Sequence, residues 1–169
     1  MESAKHLNKN VANKTMRVFR LLSRLPFGKL AYSRLLNFYA PYTGTIRAVV
    51  TGLRPGLCTT EMKDRRSIQN HLRTVHAIAL CNLCEMTMGL VVEATIPCHL
   101  RWIPRGMTVQ YIKKARGKLS GKSWIDPDAL APGDQTVPVE INDMSGDIVV
   151  RADIMLSVSR RPDSDMRVS

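Results

Sequence analysis

Aromatic residues are scarce: three Phe, two Trp and four Tyr make up 5 per cent of the 169 residues. That leaves too few stacking platforms for single-stranded nucleic acid. No RNP motif, zinc-finger spacing or recognition helix is present, so nucleic acid is not an expected partner. No uninterrupted apolar stretch approaches the roughly 20 residues that span a bilayer, because Arg20, Arg24, Lys29 and Arg34 break the longest N-terminal candidates. No compact apolar N-terminal core with a small-residue cleavage site is found, so secretion is not indicated and cytoplasm is the expected compartment.

Acids are also few, 14 against 25 Lys and Arg, which gives a net charge of +11. The excess is uneven. Residues 1–40 carry eight bases and one acid, and residues 101–122 carry seven bases and no acid. Residues 126–153 reverse this, with seven acids and one base. Such patches suit a polyanionic partner, whether anionic lipid or the phosphates of a coenzyme A ester. The four cysteines include one C-x-x-C pair, Cys81 and Cys84, inside the apolar run Ala77 to Leu90. With no second pair, buried reduced thiols are expected rather than a zinc site, and no metal is assigned.

With 44 per cent apolar residues the chain has material for one packed domain. Met16, Phe19 and Leu22 recur at helical spacing from about Lys14 to Leu25, where Pro26 stops the run, and a second helix is expected over about Phe27 to Phe38. The two read as a cap packed across the main domain, with a basic membrane-surface contact through residues 14–38 as the alternative. Thr45 to Thr51 and Leu57 to Lys63 read as a hairpin around Pro55 and Gly56. Val75 to Val92 is the strongest helix, and its few polar residues imply burial under a sheet. Strands are expected over Thr95 to Trp102, Met107 to Lys114, the basic stretch to Trp124, Val137 to Asn142 and Asp147 to Val158, with residues 126–136 a loop. Asp143-Met-Ser-Gly146 joins the last two as a hairpin turn. The pattern is an α+β domain, one antiparallel sheet wrapped around one long central helix.

The segment from Asn70 to Glu85 has the frame Asn70-x5-His76-x8-Glu85. It resembles the entry to the central helix of hot-dog-fold thioesterases, especially the phenylacetyl-CoA-type acyl-CoA thioesterases, in which Asn, His-Gly-Gly and an acid recur at these spacings. Gly106 to Gly117 is similar to a strand and basic turn of that family, and the resemblance covers roughly residues 44–160. It implies a hot-dog domain over 44–160, which leaves the two N-terminal helices as a helical extension over 1–43 and residues 161–169 as a tail. It further implies a homodimer or dimer of dimers, an acyl-CoA or other acyl thioester as substrate, and no cofactor beyond the coenzyme A that is part of that substrate. Ala77 and Ile78 stand where the family carries glycines, and Pro104 where many members carry a hydroxyl; Ile78 narrows the approach of a thioester to the backbone.

Helix geometry adds a reading of its own. If the helix begins near Val75, the Ala77 N–H lies unpaired in its first turn, at the positive end of the macrodipole, where it suits an oxyanion. Counted from His76, Glu85 is about half a turn round and about 13 Å along the axis. One chain then holds half a site, and a two-fold dimer would bring Glu85 of one copy to Ala77 of the other. Asn70 is expected to help hold the carbonyl, His76 to cap or orient the backbone, with direct substrate contact as its alternative, and Glu85 to act as general base or nucleophile, its pKa raised by desolvation. A buried pair of Glu85 with Arg73, Arg101 or Arg105 is the alternative. Arg65, Arg66, Lys113, Lys114 and Arg116 are the candidates for the coenzyme A phosphates. A noncatalytic module binding a fatty acyl or lipid ligand is the rival function.

Overall fold

The computed structural model describes residues 14–162; the first 13 residues of the expected 1–43 extension and all but the start of the 161–169 tail lie outside them. Two helices open the chain, α1 (Lys14–Leu22) and α2 (Gly28–Tyr39). The turn between them is so tight that a Cβ on Gly28 would overlap the Leu22 carbonyl, which only glycine avoids. Met16, Phe19 and Tyr32 join the main core, with the Phe19 and Tyr32 rings edge to face at 5.0 Å. Ser33 Oγ accepts from the Val50 N–H at 2.9 Å, tying α2 to the first strand. The helices thus cap the domain.

A short helix α3 (Pro41–Gly44) follows, so the expected strand from Thr45 starts later, as β1 (Val49–Arg54). β1 pairs with β2 (Leu57–Lys63) as the expected hairpin. The central helix α4 (Ala77–Thr95) runs two residues later at its start and three later at its end than its periodicity suggests. Its 19 residues span about 28 Å. By length and composition alone it is apolar enough to cross a membrane, closer to that limit than the interrupted runs of the sequence suggest. Twelve of its residues are instead buried in the core of this domain. Gly121 lets α4 settle on the sheet, since a Cβ there would stand 2.6 Å from Thr60 Oγ1 and 3.0 Å from Thr87 Oγ1. Those two hydroxyls hydrogen-bond each other at 2.8 Å, satisfying the polar atoms where helix and sheet touch.

The sheet has six strands, completed by β3 (Leu100–Tyr111), β4 (Lys118–Trp124), β5 (Gly133–Asn142) and β6 (Ile148–Arg160). All its pairings are antiparallel, in the order β1-β2-β4-β5-β6-β3. Two expected strands, Thr95 to Trp102 and Met107 to Lys114, are one. The helix keeps Thr95, and β3 then runs through Pro104 with a bulge between Pro104 and Gly106. Proline is tolerated there because β3 is an edge strand and needs hydrogen bonds on one side only. β5 starts at Gly133, inside the expected loop. The β5–β6 turn forms as expected: Gly146 has φ 86°, and Asp143 Oδ1 accepts from the Ser145 and Asp147 N–H groups.

Candidate active site

The loop that delivers α4 is fixed at both ends. The Asp64 N–H donates to the Gly117 carbonyl, the Val75 N–H to the Ala115 carbonyl and the His76 N–H to the Ile68 carbonyl. Asn70 organises the bend between them. Its Oδ1 accepts from the Leu72 and Thr74 N–H groups at 2.9 and 3.2 Å, and its Nδ2 donates to Thr74 Oγ1 at 2.9 Å. Its Oδ1 and one Nδ2 hydrogen are therefore committed to the loop, so Asn70 shapes the bend that leads into α4.

His76 is the N-cap of α4 with extended backbone, φ −63° and ψ 139°, and its Nδ1 accepts from the Ile78 N–H at 3.1 Å. A neutral His76 therefore carries its proton on Nε2. The Leu80 N–H donates to the His76 carbonyl. Among the described residues the N–H groups of Ala77 and Ala79 have no acceptor, and they stand at the positive end of a 19-residue helix. Beside them is a cavity of about 220 Å³ walled by Tyr42, Thr45, Gln69, His76, Ala79 and Asn82. Asn82, 5 % exposed, donates to the Tyr42 carbonyl and Thr45 Oγ1. Gln69 also borders a larger cleft of about 520 Å³ lined by Arg66, Asn70 and Arg73.

Glu85 is exposed, so within one chain the expected desolvation is absent. No arginine pairs with it either: among the described residues it has no hydrogen bond and no ion pair. The half-turn offset also needs correction. Because His76 is not helical, the rotation has to be counted within α4, where Ile78, Cys81 and Glu85 follow at three and four residues and share one open face. The separation of Ala77 from Glu85 is axial, about 12 Å over eight residues. The open face exists because the sheet ends there. β3 runs alongside, with Trp102 against Gly89 and the Tyr111 hydroxyl 3.0 Å from Cys81 Sγ, so Glu85 lies between these two contacts. The bond to Cys81, followed by burial, pushes Tyr111 up to about 12.

The basic candidates divide. The Asp64–Gly117 and Val75–Ala115 bonds bring the segments of Arg65 and Arg66 and of Lys114 and Arg116 together beside the start of α4. Arg65 donates to Ser67 Oγ and the Thr45 carbonyl, and desolvation, followed by its neighbour Arg47, lowers its pKa. Lys113 turns away into ion pairs with Asp143 at 3.0 Å and Asp147 at 2.6 Å. Of the cysteines, Cys58 and Cys84 are buried and burial pushes both thiols up, but Cys81 is half-buried and Cys98 exposed. Among the described residues no three His, Cys, Asp or Glu side chains converge.

Sequence reasoning did not single out Tyr42, Thr45 and Asn82 as walls of the cavity, and it named Arg73 only as a partner for Glu85, not as a lining residue of the larger cleft. Asn82 carried a signal as the one amide in an apolar helix; Tyr42 and Thr45 carried none, since they reach the cavity only through the turn before β1.

Three solved structures place this architecture. A structural-genomics crystal structure is 35% identical, with a TM-score of 0.79 over 88% of this chain and 99% of that one. A Pseudomonas aeruginosa protein of unknown function, a probable thioesterase, is 16% identical with a TM-score of 0.71, covering 81% of this chain and 97% of that one. A Haemophilus influenzae thioesterase is 12% identical with a TM-score of 0.65, covering 74% and 88%. No curated protein matches the sequence. The fold is the hot-dog fold, a mixed helix and antiparallel-sheet domain with a central helix. Over residues 28–158 the sequence matches the family described as a domain of unknown function, DUF4442, and the chain belongs to that family.

Proposed function

We propose that this protein hydrolyses acyl-CoA thioesters at a site shared by two copies of the chain. The observation that carries the reading is the entry to α4, where backbone N–H groups at a helix N-terminus border a cavity and a carboxylate stands about 12 Å further along the same helix, all without partners among the described residues. The thioester carbonyl would accept from the Ala77 N–H. Glu85 of the other copy would take a proton from water as the water oxygen bonds to the carbonyl carbon. Collapse of the tetrahedral oxyanion breaks the C–S bond, and the departing thiolate takes the proton from Glu85. Glu85 attacking directly as nucleophile is the covalent variant of the same step.

The unpaired edge of β3 supports pairing of two copies. It is 12 residues long, and the exposed Ile103 and Tyr111, with Ile78 nearby on α4, make it an edge that proteins ordinarily cover. The likeness to solved thioesterases supports the chemistry. The nucleotide end of the substrate is assigned to Arg65, Arg66, Lys114 and Arg116, joined by Arg73 in the larger cleft. A lipid-binding module without catalysis remains the second reading, favoured by Ile78, 55 % exposed at the second position of α4.

A hydrolysis screen across acyl-CoA chain lengths with a thiol-reactive reporter, run beside light scattering, tests both halves. Release of free thiol by a particle of at least twice 19.0 kDa is expected. An active monomer overturns the shared site, and no hydrolysis of any ester by an oligomer overturns the catalytic reading.

A further inference from the structure

The face of α2 that points away from the domain carries an apolar stripe of its own, in addition to the Tyr32 and Leu36 side chains packed on the core. Phe27, Leu30, Ala31, Leu35 and Phe38 follow at offsets of three, four, eight and eleven residues, the period of one helix stripe. Phe27 is 85 % and Phe38 86 % exposed, and Leu30 and Leu35 are exposed with them. The inward face carries Gly28, Tyr32 and Ser33, with the half-buried Leu36 against the core. Tyr39, the last residue of the helix, and Tyr42 beyond it continue the apolar surface, and Leu21 and Leu25 extend it from the α1 side. Phe27 itself is held at φ 59°, a conformation uncommon for a bulky residue, at the tip of the α1–α2 turn.

The surrounding charge has one sign. No Asp or Glu occurs between Glu2 and Glu61. Arg17, Arg20, Arg24 and Arg34 are exposed, and among the described residues none forms an ion pair. We propose that the outward face of α2, with the α1–α2 turn, docks this protein on an anionic membrane surface. Its apolar stripe would enter the acyl boundary while the arginines meet lipid phosphates. A second copy is a poorer occupant, because it would bring the same uncompensated positive charge to the contact. α2 packs on β1, the sheet edge opposite β3, so pairing through β3 leaves the face free. Tyr42 belongs both to this surface and to the wall of the cavity at α4. Docking itself does not depend on that cavity being catalytic.

Co-sedimentation with vesicles tests the proposal without reference to hydrolysis. The full chain should bind vesicles of phosphatidylcholine containing about a third phosphatidylglycerol on the order of tenfold more strongly than pure phosphatidylcholine, and lose binding as salt rises. The exposed double substitution Phe27→Ser with Phe38→Ser should lower binding on the order of tenfold with an unchanged melting temperature. Should that variant fold poorly, Arg20→Glu with Arg34→Glu, also at exposed positions, should remove the preference for anionic vesicles. Failure to bind anionic vesicles, or wild-type binding by a folded Phe27→Ser/Phe38→Ser variant, overturns the proposal. A lower light-scattering mass for that variant in the absence of lipid also overturns it, by assigning the face to a second copy.

Discussion

Replacing Glu85 by glutamine separates chemistry from architecture. The substitution keeps the size of the side chain and removes its charge and basicity. Within the protomer Glu85 is exposed and has no bonding partner among the described residues, so no buried charge is orphaned by the change. The expected effect on stability is within about 0.5 kcal/mol, as for other surface substitutions without special contacts. Had Glu85 balanced a buried arginine, its loss would have cost roughly 3 to 5 kcal/mol. Turnover should fall about 100-fold or more, the worth of a general base, which is about 2.7 kcal/mol in the barrier. Single-turnover hydrolysis of an acyl-CoA, paired with urea or thermal denaturation of the same variant, reads both quantities. Retained turnover removes Glu85 from the chemistry. A destabilisation of several kcal/mol refutes the free carboxylate that the open face of α4 presents.

Arg66→Ala with Arg116→Ala should raise KM for an acyl-CoA severalfold and leave kcat nearly unchanged, whereas Lys113→Ala should do neither, because its ammonium is already committed to two aspartates; steady-state kinetics on the variants checks this. Gly121→Ala places a methyl 2.6 Å from Thr60 Oγ1 and should cost about 1 to 3 kcal/mol by overpacking, seen as a fall in Tm of roughly 2 to 4 °C per kcal/mol. Lys113 holds the Asp143 carboxyl below its ordinary 3.8, so that contribution to stability is present above 3.8 and disappears as pH falls through the lower folded value. Asp147 and Asp143 raise Lys113 above 10.5, so its contribution is complete below 10.5 and is lost as pH rises through the folded value. The stability difference between wild type and Lys113→Ala should therefore stay flat between about pH 5 and 9 and shrink at both extremes; a flat difference at every pH contradicts the ion pairs.

What the sequence determined by itself was local. The run from Ala77 onward had the composition of a buried helix, Pro55 with Gly56 and Asp143 with Gly146 marked the two hairpin turns, and the period of Met16, Phe19 and Leu22 marked the first helix. His76 was legible as lying at a helix start, but the expected start at Val75 put it inside the helix, and only the structure makes it the N-cap. Only the tertiary structure decided which sides of these elements stay open. A sequence as apolar as α4 implied a mostly buried helix under a sheet, but the sheet ends at β3, so Ile78, Cys81 and Glu85 share an uncovered face. The segment around Pro104 separated two expected strands and instead joins them, since strand order put it on an edge. Lys113 looked free, but its partners come from a turn 30 and 34 residues further along the chain. The stripe of α2 was visible as a period, yet its direction was fixed only by Tyr32 and Ser33 packing inward. Periodicity and propensity are properties of contiguous residues, whereas exposure and pairing depend on which strands become neighbours, and that is settled by the packing of the whole chain.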